Sequence, residues 1–268
     1  MTDIVLYEKV DRVGLITFNR PAVMNAFDDM TYPRIVESLE EAAHDDVGAV
    51  VVTGAGRGFC SGADVRGFQR RIDRGEFQEN AGGETGGGGL LLKMLNYPRP
   101  IIAAINGPAV GLGATFTLAC DLRYMNENAK IGFIFARVGL ITEFGSTYLL
   151  PKMVGLGNAK KLVFDANPIG ADEALRIGLV NEVLPDEGFL EHAMARAQQI
   201  AKKPALALAR MKEGFHRFLG GDIAEVQRWE GRTLTKEIRP SPEHAEGVRA
   251  FLEKREPDFA AARSANRT

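Results

Sequence analysis

Pro100-Ile-Ile-Ala-Ala-Ile-Asn-Gly-Pro-Ala-Val-Gly-Leu-Gly113 is the stretch that decides the fold. Ile101 to Ile105 is apolar throughout, the pattern of a short strand buried on both faces rather than one with a wet side. It runs into a glycine turn, Asn106 to Gly111, and then into an apolar helix through Ala114, Phe116, Leu118 and Ala119. An earlier all-apolar run, Ala49 to Val52, also ends in a glycine turn, Thr53-Gly54-Ala55-Gly56. A repeated order of buried strand, glycine turn and helix implies an α/β core.

Working outward, Ile4 to Val10 and Val13 to Phe18 are two β-rich runs around Asp11-Arg12 and predict a hairpin. Asn19-Arg20-Pro21 ends it. Asp28, Asp29 or Thr31 ahead of Pro33, with Ile35, Val36, Leu39, Ala42 and Ala43 behind, predicts an amphipathic helix. Ala129 to Phe135 reads as a strand, and Glu143 to Met153 as a helix entered after a turn at Gly139. Beyond that point only Leu179 to Leu184 carries a strand signal, while helical periodicity covers Glu187 to Arg217, Ile223 to Thr235 and His244 to Lys254. The expected organisation is an α/β core over residues 1–195 and a helical region over 196–268.

The chain holds 30 glycines in 268 residues, about 11 % against an average near 7 %. With no G-x-y period, 12 prolines and 45 % hydrophobic residues, collagen-like and low-complexity readings are excluded. Six of the glycines fall in Ala81-Gly-Gly-Glu-Thr-Gly-Gly-Gly-Gly89, after the charged stretch from Arg66 to Glu79. That segment reads either as a solvated loop or as a lid over a ligand, with no fixed conformation expected of it alone. Thirty-three Lys and Arg against 35 Asp and Glu give a formal charge of −2 and no footprint for nucleic acid or an anionic membrane. Cys60 and Cys120 have no partner at metal-ligand spacing and read as buried thiols in a reducing compartment. No leader pattern and no long apolar span is present, so a cytoplasmic protein is expected.

Glycine patterns for dinucleotide or Walker-type phosphate binding fail: Phe59-Cys60-Ser61 stands where a Rossmann helix should open, and no G-x-x-x-x-G-K-[ST] exists. Two turns remain, Ser61-Gly62-Ala63-Asp64 and Gly111-Leu112-Gly113, each expected after a buried strand and before a helix. Unsatisfied N–H groups there, converging on one point, would hold an anionic oxygen. Most carboxylates lie on charged helix faces, but Glu143 stands alone among apolar and small residues. Desolvation would raise its pKa toward that of a general base; the alternative is an acid serving a helix N-terminus. His44, His192, His216 and His244 sit in helical patterns away from any nucleophile, and no G-x-S-x-G elbow is present.

These motifs, in order, resemble the crotonase (enoyl-CoA hydratase/isomerase) superfamily over nearly the whole chain. The matching pieces are Ile16-Thr-Phe-Asn-Arg-Pro21 with Asn25-Ala26, Gly58-Phe-Cys-Ser-Gly-Ala-Asp64, Pro100 to Gly111 and Cys120-Asp121. Ala171-Asp-Glu-Ala174, Gly178-Leu-Val180 and Glu246 to Pro257 follow. The resemblance implies a crotonase-like spiral of ββα units with a helical C-terminal trimerisation region, assembled as a homotrimer or hexamer. It implies an acyl-CoA thioester as substrate, coenzyme A entering as part of it, with no separate cofactor or metal. The backbone N–H groups of Ala63 and Leu112 would hold the thioester oxygen. Ser61, Gly62, Asp64, Val65 and Gly111 would border the thioester, and Phe251 and Lys254 would help cover the CoA nucleotide.

Departures from the family pattern point to the reaction. The two glutamates of family hydratases correspond here to Thr115 and Phe135, and the basic residue that many relatives carry after the Asn-Arg-Pro motif is replaced by Ala22-Val23-Met24. Glu143 instead matches the single glutamate of a subgroup resembling 3,2-enoyl-CoA isomerases, within Gly139-Leu-Ile-Thr-Glu-Phe-Gly-Ser-Thr-Tyr-Leu-Leu-Pro-Lys152. The expected activity is therefore 3,2-enoyl-CoA isomerisation in fatty acid metabolism. Enoyl-CoA hydratase (lyase) activity, a hydrolase or thioesterase using the same oxyanion hole, and a silent CoA-thioester binding protein are the alternatives.

Overall fold

The computed structural model describes residues 3–64 and 87–265. Val65, the charged stretch from Arg66 to Glu79 and the glycines Gly82, Gly83 and Gly86 lie outside the described residues. The hairpin forms as expected: β1 (Val5–Val10) and β2 (Val13–Phe18) pair antiparallel with Val10 opposite Val13. Then come α1 (Thr31–His44), β3 (Ala49–Gly54), α2 (Gly87–Asn96), β4 (Ile101–Ile105), β5 (Ala109–Val110), α3 (Leu112–Leu118) and β6 (Leu122–Asn126). They are followed by β7 (Lys130–Gly132), α4 (Ser146–Asp165), β8 (Ile169–Gly170), α5 (Ala171–Arg176) and β9 (Glu182–Leu184). The C-terminal helices are α6 (Phe189–Ala201), α7 (Ala205–Arg217), α8 (Ile223–Thr233), α9 (Pro242–Glu253) and α10 (Phe259–Ser264).

Six strands form one sheet in the order β1-β2-β3-β4-β6-β9, parallel except for the hairpin. The all-apolar runs are explained by this position. In β3 and β4 successive side chains face opposite sides, and both sides are covered. Val50, Val52, Ile101, Ala103 and Ile105 pack in the core that includes Ile35, Leu39 and Ala42 of α1. Ala49, Val51, Ile102 and Ala104 pack in a second core with Phe189, Ala193, Ala197 and Ala201 of α6. Helix α6 thus crosses residue 195 while serving the sheet. A smaller sheet, β5-β7-β8, lies beside the point where the chain leaves β4.

Four expectations are corrected. The strand from Ala129 to Phe135 shrinks to β7 and turns into a 3-10 helix at Ile134–Val138, because its partners β5 and β8 are only two residues long and offer no edge beyond Gly132. Leu179 to Leu184 is strand only over its last three residues. The helix expected from Glu143 begins at Ser146, since Phe144 and Gly145 hold φ of 55° and 71°, outside the right-handed helical region. Gly87, Gly88 and Gly89 form the first turn of α2 rather than a shapeless loop. There Gly87 lies against the rings of Tyr32 and Phe144, and packing offsets its poor helix propensity.

Buried polar residues tie the helical region to the sheet. Lys212 of α7, 8 % exposed, donates to Asp121 Oδ2 at 2.7 Å, and the same oxygen accepts the N–H of Ile101 at the start of β4. Arg123 is buried on β6 and donates to the carbonyls of Cys120, Leu179 and Thr117; desolvation lowers its pKa. Among the described residues no helix is long and apolar enough to cross a membrane.

Candidate active site

The first turn takes its shape from a bridge to the segment after the hairpin. Phe27 pairs in parallel with Ala63: the Phe27 N–H donates to the Gly62 carbonyl and the Asp64 N–H to the Phe27 carbonyl, both at 2.8 Å. In such a bridge the peptide groups flanking Ala63 are used, and those of Ala63 itself face the other way. Asn25, 1 % exposed, supports the arrangement by accepting from the Arg20 N–H and donating to the carbonyls of Ala55 and Gly58. Arg20 reaches on to Asp64 Oδ2 at 3.3 Å, and Ser61 donates its N–H to the Met24 carbonyl.

The second turn is anchored independently. Cys60 bridges Ala109, the Val110 N–H donates to the Cys60 carbonyl, and the Gly111 N–H donates to Gly132 of β7. Gly111, at φ 56°, swings the chain into α3, where its carbonyl accepts from Ala114 and Thr115. Among the described residues, neither the Ala63 N–H nor the Leu112 N–H has an acceptor within the protein.

Glycine permits these turns to touch. A Cβ placed on Gly113 would lie 2.2 Å from the Cys60 carbonyl oxygen, and one on Gly62 would lie 3.0 Å from the Val110 oxygen and 3.6 Å from the Leu112 nitrogen. Two unspent N–H groups on abutting, individually anchored backbones are the kind of pre-organised cradle that can hold a developing oxyanion. For Ala63 the cradle rests on bridge geometry, and the residues that would continue its turn into a helix lie outside the described ones.

Glu143 sits in the loop between the 3-10 helix and α4. It is two residues ahead of the Gly145 cap, and the first turn of α4 contains no acid, so it does not serve that helix as a first-turn charge. Its side chain is exposed to solvent, yet desolvation by the surrounding protein still raises its carboxyl above the ordinary value. The next residue, Phe144, is buried with its ring centroid 5.8 Å from that of Phe116 on α3. The loop carrying Glu143 is thereby packed on the helix whose first residue is Leu112. Thr115 and Phe135, which the resemblance matches to the hydratase glutamates, are both buried, and the Thr115 hydroxyl donates to the Leu112 carbonyl at 3.2 Å.

The remaining sequence candidates divide. Ser61, Gly62, Asp64 and Gly111 are in the two turns. Phe251 is 84 % exposed on α9 and Lys254 caps that helix at φ 53°; no hydrogen bond or ion pair links either to the turns among the described residues. A cavity of about 340 Å³ borders Phe251, and one of about 620 Å³ lies between α7 and α8, both away from the turns. Sequence reasoning assigned no role to Asn25 or Arg20, although both stand in the quoted motifs. Their signal is a polar pair beside a hairpin end, which acquires meaning only through contacts up to 44 residues away.

Comparison with known proteins agrees with the motifs. The enoyl-CoA hydratase/isomerase family profile matches residues 8–262. A Rhodobacter capsulatus protein named "Probable enoyl-CoA hydratase" is 36 % identical over 261 residues, covering 95 % of this chain and 97 % of the relative. The 1,2-epoxyphenylacetyl-CoA isomerase of Escherichia coli is 31 % identical, covering 97 % and 99 %. The crystal structure of an enoyl-CoA hydratase from Bacillus anthracis superposes with a TM-score of 0.86 at 28 % identity, covering 96 % of this chain and all of that one. The chain belongs to the enoyl-CoA hydratase/isomerase family, the crotonase superfamily. It is an acyl-CoA enzyme of that family with the family's α/β fold.

Proposed function

We propose that the enzyme moves a double bond in an enoyl-CoA thioester, as a 3,2-enoyl-CoA isomerase. The reading is supported by the loop that carries Glu143, which packs on the first helix after the second turn through Phe144, and by the family resemblance, which matches the two hydratase glutamates to Thr115 and Phe135, neither of which can act as an acid or base. Glu143 takes a proton from carbon 2 of a 3-enoyl-CoA. The released electron pair delocalises into the thioester carbonyl as a dienolate, whose oxygen accepts the N–H groups of Ala63 and Leu112. Reprotonation at carbon 4 by the same carboxyl group shifts the double bond to carbons 2 and 3 and restores the base.

Each oxyanion donor is worth about 3 kcal/mol in the transition state, and a positioned base about 10²- to 10⁴-fold in rate. Hydration needs groups that position and deprotonate a water as well, and the two residues that relatives use for that are missing. Purified protein offered 3-enoyl-CoA and 2-enoyl-CoA in parallel tests the reading. Isomerisation lost in Glu143→Gln is expected; hydration without isomerisation, or full activity in that variant, overturns it.

The same reading includes self-association into a trimer or hexamer. It is supported by the exposed apolar side chains of the C-terminal helices, with Phe215 at 73 %, Ile223 at 80 % and Leu252 at 75 % exposure. Light scattering on the purified chain is expected to return a mass at a multiple of three protomers, and a monomer overturns this part.

A further inference from the structure

Glu143 lies on no regular element and, unlike Ala63, in no bridge, so whatever fixes its place must come from the loop itself. Three features of that loop converge on its backbone. Ser146, 1 % exposed, gives both its N–H, at 3.1 Å, and its hydroxyl, at 2.6 Å, to the Glu143 carbonyl. The Ser146 oxygen is in turn hydrogen-bonded to the Thr142 hydroxyl. With the Ser146 proton committed to Glu143, Thr142 is the donor of that second bond, and the chain of hydroxyls runs from Thr142 through Ser146 to the Glu143 carbonyl.

Phe144 supplies the other half. A bulky residue at φ 55° occupies the left-handed region that side chains avoid, and such outliers persist only where their surroundings over-determine them. Here the ring is buried against Phe116 and lies near Gly87 at the start of α2, while Gly145 packs against Leu91. A loop residue with an exposed carboxylate is thus flanked by a strained aromatic anchor on one side and a buried hydroxyl clasp on the other.

We infer that Thr142, Phe144 and Ser146 form a clasp of positioning residues that holds the Glu143 carboxylate at one distance from the oxyanion cradle. This rests on Glu143 acting as the base. As positioning residues they act through Glu143, so their loss is read in the chemical step. A displacement of the base by about 1 Å is enough for a roughly 10- to 100-fold fall in kcat, with KM held within about twofold. The freed carboxylate also becomes better hydrated, which moves the acid limb of the kcat profile down toward the ordinary carboxylate range.

The test compares Ser146→Ala, Ser146→Thr, Thr142→Val and Phe144→Gly with Glu143→Gln. Isomerisation is followed alongside solvent-deuterium exchange at carbon 2 of butyryl-CoA, a saturated thioester that reports proton removal without double-bond migration. The expected result is a fall in kcat and exchange for Ser146→Ala, recovery in Ser146→Thr, a smaller fall in Thr142→Val, and a fall for Phe144→Gly in protein that is still folded, at a melting temperature lowered by loss of the buried ring. Exchange that persists in Glu143→Gln overturns both the base and the clasp. Exchange abolished there but of wild-type rate in folded Ser146→Ala and Phe144→Gly overturns the clasp alone. Should Ser146→Ala fail to fold, Thr142→Val and Phe144→Gly carry the same comparison, and wild-type kcat in both overturns it.

Discussion

Replacing Gly113 by alanine tests the cradle with a single methyl group. The added carbon would stand 2.2 Å from the Cys60 carbonyl oxygen and 2.8 Å from the Cys60 Cβ. The first obstacle is backbone, held by the Val110 N–H on one strand and by the bridge to Ala109, so it cannot rotate aside as a side chain would. Contacts of that kind are essentially absent below 3.0 Å, so the turns must separate by roughly 1 Å, and misplacements of that size reduce rates about 10²-fold. Losing one oxyanion donor outright sets the upper range, about 10²- to 10³-fold in kcat. The strain should also lower stability by about 1 to 3 kcal/mol. Steady-state isomerisation and thermal unfolding are the assays. Gly157→Ala, in α4 with nothing within 4 Å of the new methyl, is the control and should leave kcat unchanged. Wild-type kcat and melting temperature in Gly113→Ala would show that the turns do not abut, and the cradle would have to be abandoned.

Three further outcomes are expected. Glu143 acts as a base only when ionised, and desolvation raises its pKa. The rate should therefore fall with pH through a limb lying above the ordinary glutamate value of 4.5, and a limb at or below that value contradicts the assignment. Burial pushes the thiols of Cys60 and Cys120 up to about 12. Iodoacetamide at neutral pH should consequently leave both unmodified in the folded protein and label both in urea, as mass spectrometry would read directly; labelling of the native chain refutes their burial. Lys212→Met removes the cation from Asp121 in a pair whose ammonium is 8 % exposed. A loss of about 3 kcal/mol is expected in urea unfolding, and an unchanged midpoint and slope would mean that the pair is no anchor for α7.

The parts of this molecule that were legible in the sequence are those whose pattern is set by neighbours on every side. The runs Ala49 to Val52 in β3 and Ile101 to Ile105 in β4 are all apolar because α1 and α6 cover opposite faces of the sheet; no local accident produces that pattern, and the strands stand where expected. The site was legible as residue types and not as geometry. Gly113 belongs to a recognisable motif, but the 2.2 Å approach that requires glycine is to Cys60, 53 residues earlier. The Ala63 N–H was expected to be free because a helix would open there, whereas in the structure it has no acceptor among the described residues because Phe27 bridges on the other side. Phe144 left no trace at all. Its left-handed backbone is imposed by a ring seated on Phe116, and a phenylalanine between a glutamate and a glycine carries no local turn signal. That conformation, with Gly145 at φ 71°, starts the expected helix three residues late, removes Glu143 from the first turn of α4, and leaves the carboxylate in a loop packed beside α3. The residue that read as an ordinary apolar helix position is therefore the one that takes Glu143 out of the helix terminus and, on the proposed reading, leaves its carboxylate to serve as the base.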